Sequence, residues 1–173
     1  MSQSTATAVR SPTDGVIVGV DGVEPLARIE DAAEFRHGYA KLKSGEWDAA
    51  KWQSHRLRFG VYGQLQPNVH MVRIKIPGGL LSFEWATTIA EAVRRWGHGK
   101  LHVTPRQDIP TPFVAPDDAP DMLEFLYSRG VTTREACANT LRNMTSCPLA
   151  GVCPKEHVDA GEVAARLARI WIR

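Results

Sequence analysis

The clearest pattern along the chain is the alternation of apolar and polar residues between positions 69 and 76. It predicts a β-strand with Val72 and Ile74 on the core face and Arg73 and Lys75 on the opposite face. The next residues contain Pro and two Gly, which end the strand in a turn.

A second alternating segment, residues 101–104, predicts another strand. Leu101 and Val103 are expected in its core, with Thr104 and then Arg106 on the opposite face. The extended run that follows, from Ile109 to Val114, contains two prolines and is therefore expected at a sheet edge or in a loop.

Helical spacing and capping residues predict helices on both sides of these strands. They are two short helices within residues 30–55, one after a Ser82 cap, one over residues 118–129, one starting at the Thr132–Glu135 capping box, and one after Asp159. Strands and helices in this order predict an α+β fold with helices on one sheet face.

The last predicted helix carries an apolar stripe that the rest of the sequence does not cover. The stripe consists of Val163, Leu167, Ile170 and Trp171. We therefore expect the chain to stop in the middle of a larger architecture.

Composition restricts the classes of function. The 173 residues are 43% hydrophobic and 23% charged, as in a globular protein with one domain or a domain and part of another. A formal net charge of +2 gives no reason to expect a nucleic-acid partner. The sequence has neither a bilayer-spanning apolar run nor a secretory leader pattern, so we expect a cytoplasmic protein without a membrane partner.

Two groups of residues carry candidate chemistry. Arg73, Lys75, Thr104 and Arg106 share one predicted sheet face, which is either a solvated surface or an anion site. The three cysteines, Cys137, Cys147 and Cys153, are either buried structural residues or, for the last two with His157, part of a metal-binding interaction domain.

Four short motifs, in order, resemble the siroheme-dependent nitrite and sulfite reductases. They are VRIKIPGG at 72–79, TPRQ at 104–107, Cys137 followed by Arg142–Asn143, and CPLA at 147–150. The resemblance extends from about His37 to the end of the chain. It implies an N-terminal tail with short helices at 1–57, a ferredoxin-like half-domain at 58–129, and the incomplete start of a siroheme and iron–sulfur domain at 130–173.

The resemblance also implies a site and its ligands. Arg73 and Arg142 would bind the substrate, nitrite or sulfite. The residues that would bind siroheme are Arg73, Lys75, Thr104, Arg106, Gln107, Arg142 and Asn143. Implied partners are the missing C-terminal half of the enzyme and an electron donor, either a ferredoxin or a flavoprotein.

The sequence departs from the family pattern in three places. Pro110 and Ala138 stand where the family has Gln and Gly, and the family's lysine pair and four cluster cysteines are absent. No metal ligand is therefore assigned here, and the ligands of a 4Fe–4S cluster are expected outside this chain. The alternative function is a non-catalytic module that binds an anion or a tetrapyrrole.

Overall fold

The computed structural model describes residues 26–136 and 140–172. In chain order the elements are α1 (Ile29–Lys43), α2 (Ala49–Arg58), β1 (Val61–Gly63), β2 (His70–Lys75), a 3-10 turn (Pro77–Gly79), α3 (Phe83–Trp96), β3 (Asp108–Val114), α4 (Ala119–Tyr127) and α5 (Ala160–Trp171). The predicted α+β class is confirmed.

The three strands form one antiparallel sheet in the order β1-β2-β3. Val72 and Ile74 are fully buried, as the alternation predicts, and contribute to a core shared with the helices. β3 lies at the edge of the sheet, where its two prolines are tolerated. Lys75 on β2 is paired with Asp108 on β3, which places these two residues side by side.

Capping residues located two helices correctly. The Ser82 side chain accepts a hydrogen bond from the backbone N–H of Trp85 at the start of α3, and Asp159 accepts one from Glu162 at the start of α5. The two short helices before the sheet, α1 and α2, are also confirmed. Over the part of the chain that the structure describes, no helix combines the length and apolarity that a membrane span requires.

The predicted strand at residues 101–104 is wrong. Its backbone makes two hydrogen bonds to the outer side of β3, from His102 N to Pro110 O and from Thr104 N to Asp108 O, both 3.0 Å. Leu101 and Val103, expected in the core, are 46% and 66% exposed. The alternation is real, but the segment lies beyond the sheet edge, where its apolar side chains face solvent.

The predicted helix from the Thr132–Glu135 capping box is also wrong over the described residues. The Thr132 hydroxyl accepts from Arg134 N at 3.0 Å, two residues on, and Glu135 has a φ of 53°, so a local turn replaces the first helical turn. Residues 140–147 are irregular, so Arg142 does not lie at a helix end. Cys137 and Ala138 lie outside the described residues.

Small residues of α5 form the face that packs against the rest of the protein. Gly161 and Ala168 are buried on this face, which contacts the 3-10 turn between β2 and α3. A Cβ on Gly161 would meet a methyl of Leu80 at 3.0 Å, so the approach is close. The predicted apolar stripe is on the other side: Leu167 is 40% and Trp171 58% exposed.

Candidate anion-binding site

Three arginines lie on or beside the sheet face opposite the helical core. Arg73 on β2 is half-buried, and its guanidinium lies 5.3 Å from the ring centroid of Tyr62 on β1. Arg106 precedes β3 and Arg142 belongs to the irregular segment after residue 140, and both are exposed. The two arginines are therefore available to ligands from solvent.

Lys75 differs from the prediction of a solvated or ligand-facing side chain. It is fully buried, and its Nζ donates to the backbone carbonyl of Leu141 at 3.1 Å. The cause is the segment 140–146, which covers this end of β2 and comes from a distant part of the sequence. Lys75 thus contributes its charge from beneath the surface and helps to attach the covering segment.

Asp108 lies at the centre of the cationic residues. Its side chain is buried, with 2% of the residue exposed, and its Oδ1 atom has no hydrogen-bond partner in the described part of the chain. Burial raises the pKa of this carboxyl above its usual value, while the positive charges around it act in the opposite direction. Those charges belong to Arg73, Lys75, Arg106 and Arg142, the set that we call the cationic cradle.

Arg142 is thereby brought next to residues that are far from it in sequence. Asn143, the residue after Arg142, donates to the backbone carbonyl of Arg106 at 3.0 Å, so Arg142 and Arg106 lie in one neighbourhood. Sequence periodicity gave no reason for this placement, and only the family resemblance predicted it.

The Asn143 side chain connects the segments of the cradle by hydrogen bonds to backbone carbonyls. Its buried side-chain amide donates to the carbonyl of Ile76 at 2.9 Å, that of Arg106 at 3.0 Å and that of Gln107 at 3.2 Å. These contacts connect the segment carrying Arg142 to the turn carrying Arg106. Asn143 therefore positions the cations, and its nitrogen is already used by the protein itself.

Gln107 and Thr104 fix the turn before β3. The Gln107 amide donates to Ser146 O at 2.8 Å and accepts from Ser146 N at 3.0 Å, although its backbone has a left-handed φ of 60°. The Thr104 hydroxyl accepts from Asp108 N at 3.2 Å. Both side chains shape the loop that presents Arg106.

The cradle suits an anionic, multiply charged ligand. None of its three arginines makes a salt bridge with a carboxylate among residues 26–136 and 140–172, and Arg73 has a buried Nε without a partner there. Cations that are close to each other and unpaired favour an anion between them. A tetrapyrrole bearing several carboxylates fits this donor set.

The cysteine cluster receives no such support. Cys147 is exposed and Cys153 is half-buried, and both are free thiols. Within the described residues there is no group of three or more His, Cys, Asp or Glu side chains that could hold a metal ion. Sequence reasoning missed two residues, Asp108 and Ser146; for Asp108 the signal was an acidic residue directly after the Arg-Gln pair.

Comparison with known proteins shows which family the chain is similar to. Residues 62–128 match the family model for the nitrite/sulfite reductase ferredoxin-like half domain. The chain is 32% identical over 145 residues to the assimilatory ferredoxin-dependent nitrite reductase of Haloferax mediterranei, a match that covers 77% of this chain and 24% of that protein. It is 26% identical over 163 residues to the ferredoxin–nitrite reductase of Synechococcus elongatus, covering 92% of this chain and 30% of that protein.

A sulfite reductase and a solved structure are also similar. Sulfite reductase (ferredoxin) 2 of Mycolicibacterium paratuberculosis is 26% identical over 109 residues, covering 63% of this chain and 20% of that protein. The fold matches the structure of the Mycobacterium tuberculosis NirA protein with a TM-score of 0.67 and 19% identity, covering 86% of this chain and 32% of that one.

These matches identify the class of fold. Residues 62–128, which contain nearly all of the sheet together with α3 and α4, are a ferredoxin-like half-domain. The chain belongs to the nitrite and sulfite reductase family, and it corresponds to the N-terminal portion of that family. It spans about a quarter to a third of the length of the curated relatives it matches, with 24%, 30% and 26% for the first three.

Proposed function

We propose that this chain is the N-terminal part of a cytoplasmic assimilatory nitrite or sulfite reductase, in which the cationic cradle binds siroheme and the substrate oxyanion. The observation that carries the proposal is that four cations from three separate segments lie around one buried carboxyl. Lys75 is the strand partner of Asp108, and a hydrogen bond from Asn143 to Arg106 O joins the other two segments. A sheet face that is merely solvated gives no reason for Arg142 to join Arg73 and Arg106.

The cations differ in burial, and the proposal gives them three roles. Siroheme, when bound, supplies the iron at which the oxyanion is reduced. Arg106 and Arg142 are exposed, and both bind cofactor carboxylates through their guanidinium groups. Arg73 and Arg142 bind the oxyanion and donate hydrogen bonds to its oxygens, and buried Lys75 adds positive charge from below.

The iron–sulfur cluster and the electron donor belong to the same proposal. A 4Fe–4S cluster needs four thiolates, and the 173 residues contain three cysteines, so its ligands would come from a further part of the enzyme. We propose a ferredoxin as the electron donor, because several similar proteins are named as ferredoxin-dependent. A flavoprotein is the alternative donor.

Titration of the purified chain with siroheme, followed by the absorption spectrum of the cofactor, tests the cradle. We expect saturable binding, weakened on the order of ten-fold by Arg106→Ala or by Arg142→Ala, because each removes a charged hydrogen-bond donor. The matched control is Arg94→Ala, which changes an exposed arginine in the last turn of α3. An unchanged spectrum, or equal affinity for all three variants, would contradict the proposal.

The substrate is tested by the same preparation. With siroheme bound, nitrite and sulfite are titrated separately, and the anion with the lower half-saturation concentration is the substrate we would assign. Arg73→Ala should raise that concentration, because it removes a cation from the oxyanion site. If Arg73→Ala leaves both half-saturation concentrations unchanged, Arg73 does not bind the oxyanion.

A non-catalytic module that binds an anion or tetrapyrrole is the second candidate. The observation in its favour is that Arg106 and Arg142 are exposed cations without a salt bridge among the described residues, a donor set that binds an anion without redox chemistry. The mass of the protein isolated from its source cells separates the two candidates. A mass near 19.1 kDa favours the binding module, and a mass several times larger favours the reductase.

A further inference from the structure

Asp108 is unusual in this site because it is negatively charged when ionised. The cations around it are the same ones that would bind an anionic ligand. Its backbone is fixed by the ladder to β2, with Lys75 as the register partner. Thr104 adds hydrogen bonds from its own N–H to Asp108 O at 3.0 Å and from Asp108 N to its hydroxyl at 3.2 Å. The backbone that carries the carboxyl is therefore fixed at the edge of the sheet, beside Lys75.

The carboxyl is close to its cations without being paired to them. No salt bridge within 4.0 Å joins Asp108 to a cation in residues 26–136 and 140–172, and its buried Oδ1 has no hydrogen-bond partner there. Buried carboxylates are usually hydrogen-bonded or paired, because desolvation of the charge is costly. Burial therefore disfavours the charged form of Asp108, and the positive charges of the cradle oppose that effect through space.

An anion in the cradle removes that stabilisation. It pairs with the arginines and reduces the positive potential at Asp108, and its own negative charge repels the carboxylate. The groups that face Asp108 from the packed elements are Arg73 and Lys75 on β2, Arg106 before β3 and Arg142 in the covering segment, and all of them are positive. No neighbouring acid competes with Asp108 for the proton within this set.

We propose that Asp108 is a proton-coupled counter-ion: it balances the cradle when no anion is bound, and one carboxylate oxygen takes up one proton from solvent when an anion binds. The step forms one O–H bond and involves no oxidation or reduction. The inference rests on the proposed function, since it requires that an anion binds in the cradle. That anion is either a carboxylate of the cofactor or the substrate oxyanion.

Isothermal titration calorimetry in buffers of different ionisation enthalpy measures the number of protons taken up on binding. The purified chain is titrated with siroheme and, in a separate arm, with nitrite alone. Uptake with siroheme assigns the linked anion to the cofactor carboxylates, and uptake with nitrite assigns it to the substrate. We expect an uptake of up to one proton per ligand bound in at least one arm.

Asp108→Asn provides the decisive variant, because the amide has the shape of the protonated carboxyl. It should abolish the proton uptake and tighten anion binding at neutral pH on the order of ten-fold, since a buried negative charge has been removed. Asp118→Asn is the matched control, because Asp118 is exposed and its side chain makes no cap hydrogen bond to α4. It should leave the uptake and the affinity unchanged.

Nuclear magnetic resonance of wild-type chain labelled in its aspartate carboxyl groups tests the same point without a substitution at Asp108. The Asp108 titration should move to higher pH when siroheme or nitrite is added. If siroheme binds and Arg142→Ala weakens it, but uptake is equal in wild type and Asp108→Asn and the resonance does not move, the inference is overturned and the proposed function stands. If neither siroheme nor nitrite binds, both are overturned.

Discussion

Gly60 contacts the backbone of Arg73, and the position of Arg73 depends on this contact. It has a left-handed φ of +72°, and a Cβ there would lie 2.4 Å from Thr133 O and 2.8 Å from Arg73 O. Both atoms are backbone atoms that belong to elements held in the core, so neither can move away at low cost. The glycine allows β2 and the segment after α4 to approach each other.

Gly60→Ala should therefore lower the free energy of unfolding by about 3 kcal/mol or more, because strain of the left-handed backbone adds to the steric clash. Gly45→Ala is the matched control. Gly45 has a similar φ of +78° but no atom within 4 Å of the added Cβ, so it should cost only about 1 kcal/mol. Urea unfolding measures both, and equal losses would show that the approach at Gly60 is not tight.

At the residue scale, the alternation along β2 predicted the sheet face on which Arg73 lies. It did not predict how deeply each cation is buried or which groups surround it. Lys75 was predicted on an open face and is buried, because its cover comes from a segment 66 positions further along. Asp108 was not predicted at all, because its place directly after the Arg-Gln pair does not by itself show that the carboxyl is buried. The roles proposed for Arg73, Arg106 and Arg142 stay predictions until the titrations are made.

At the scale of elements, α5 shows that a capping residue predicted where the helix begins, whereas the apolar stripe did not predict which face is buried. Its start was predicted by a local signal, the Asp159 cap, and its buried face consists of small residues that hydrophobic periodicity does not emphasise. The predictions of a strand at 101–104 and of a helix starting at 132–135 were wrong. Their local patterns are sound, but hydrogen bonds to β3 place the first outside the sheet. In the second, a short-range hydrogen bond from Arg134 N to the Thr132 hydroxyl and a long-range one from Glu135 N to Arg58 O replace the helical turn.

Two substitutions test which face of α5 packs. Ala168→Leu should lower the free energy of unfolding by about 1 to 3 kcal/mol, because Ala168 is fully buried and a larger side chain would have to displace its neighbours. Leu167→Gln, one residue away and 40% exposed, should change it by less than about 0.5 kcal/mol. Urea unfolding of both variants decides the matter, and a larger loss from Leu167→Gln would mean that the apolar stripe is the packed face.

The whole molecule combines a sheet that was largely predictable with a covering segment that was not. The strand at 70–75 and the helices on one face follow from short-range periodicity, whereas the position of residues 140–146 depends on Asn143 and three backbone carbonyls that are distant in sequence. Because this segment also carries Arg142, the site is a property of the tertiary structure. Only the family resemblance placed Arg142 with Arg73 and Arg106, and that these residues bind a ligand stays a prediction.

Stability against acid is a property of the whole molecule that the structure predicts. Burial and the charge of Arg56 lower the pKa of His70 to about 4, and burial also lowers the pKa of His55. An unfolded histidine has a pKa of about 6.5, so between these values the unfolded chain binds more protons and the free energy of unfolding falls as the pH falls. The raised pKa of Asp108 acts with the opposite sign, since a protonated carboxyl is less costly to bury.

His70→Gln separates these effects, because it removes the histidine contribution and leaves Asp108 in place. Between pH 7 and about 4 the wild-type chain should lose about 1 to 2 kcal/mol more than the variant, a value reduced from the full shift because His70 is only partly buried. His157→Gln, which changes an exposed imidazole, should keep the wild-type dependence. Urea unfolding at several pH values gives the slopes, and equal slopes for His70→Gln and wild type would mean that His70 accepts its proton as readily in the folded chain as in the unfolded one.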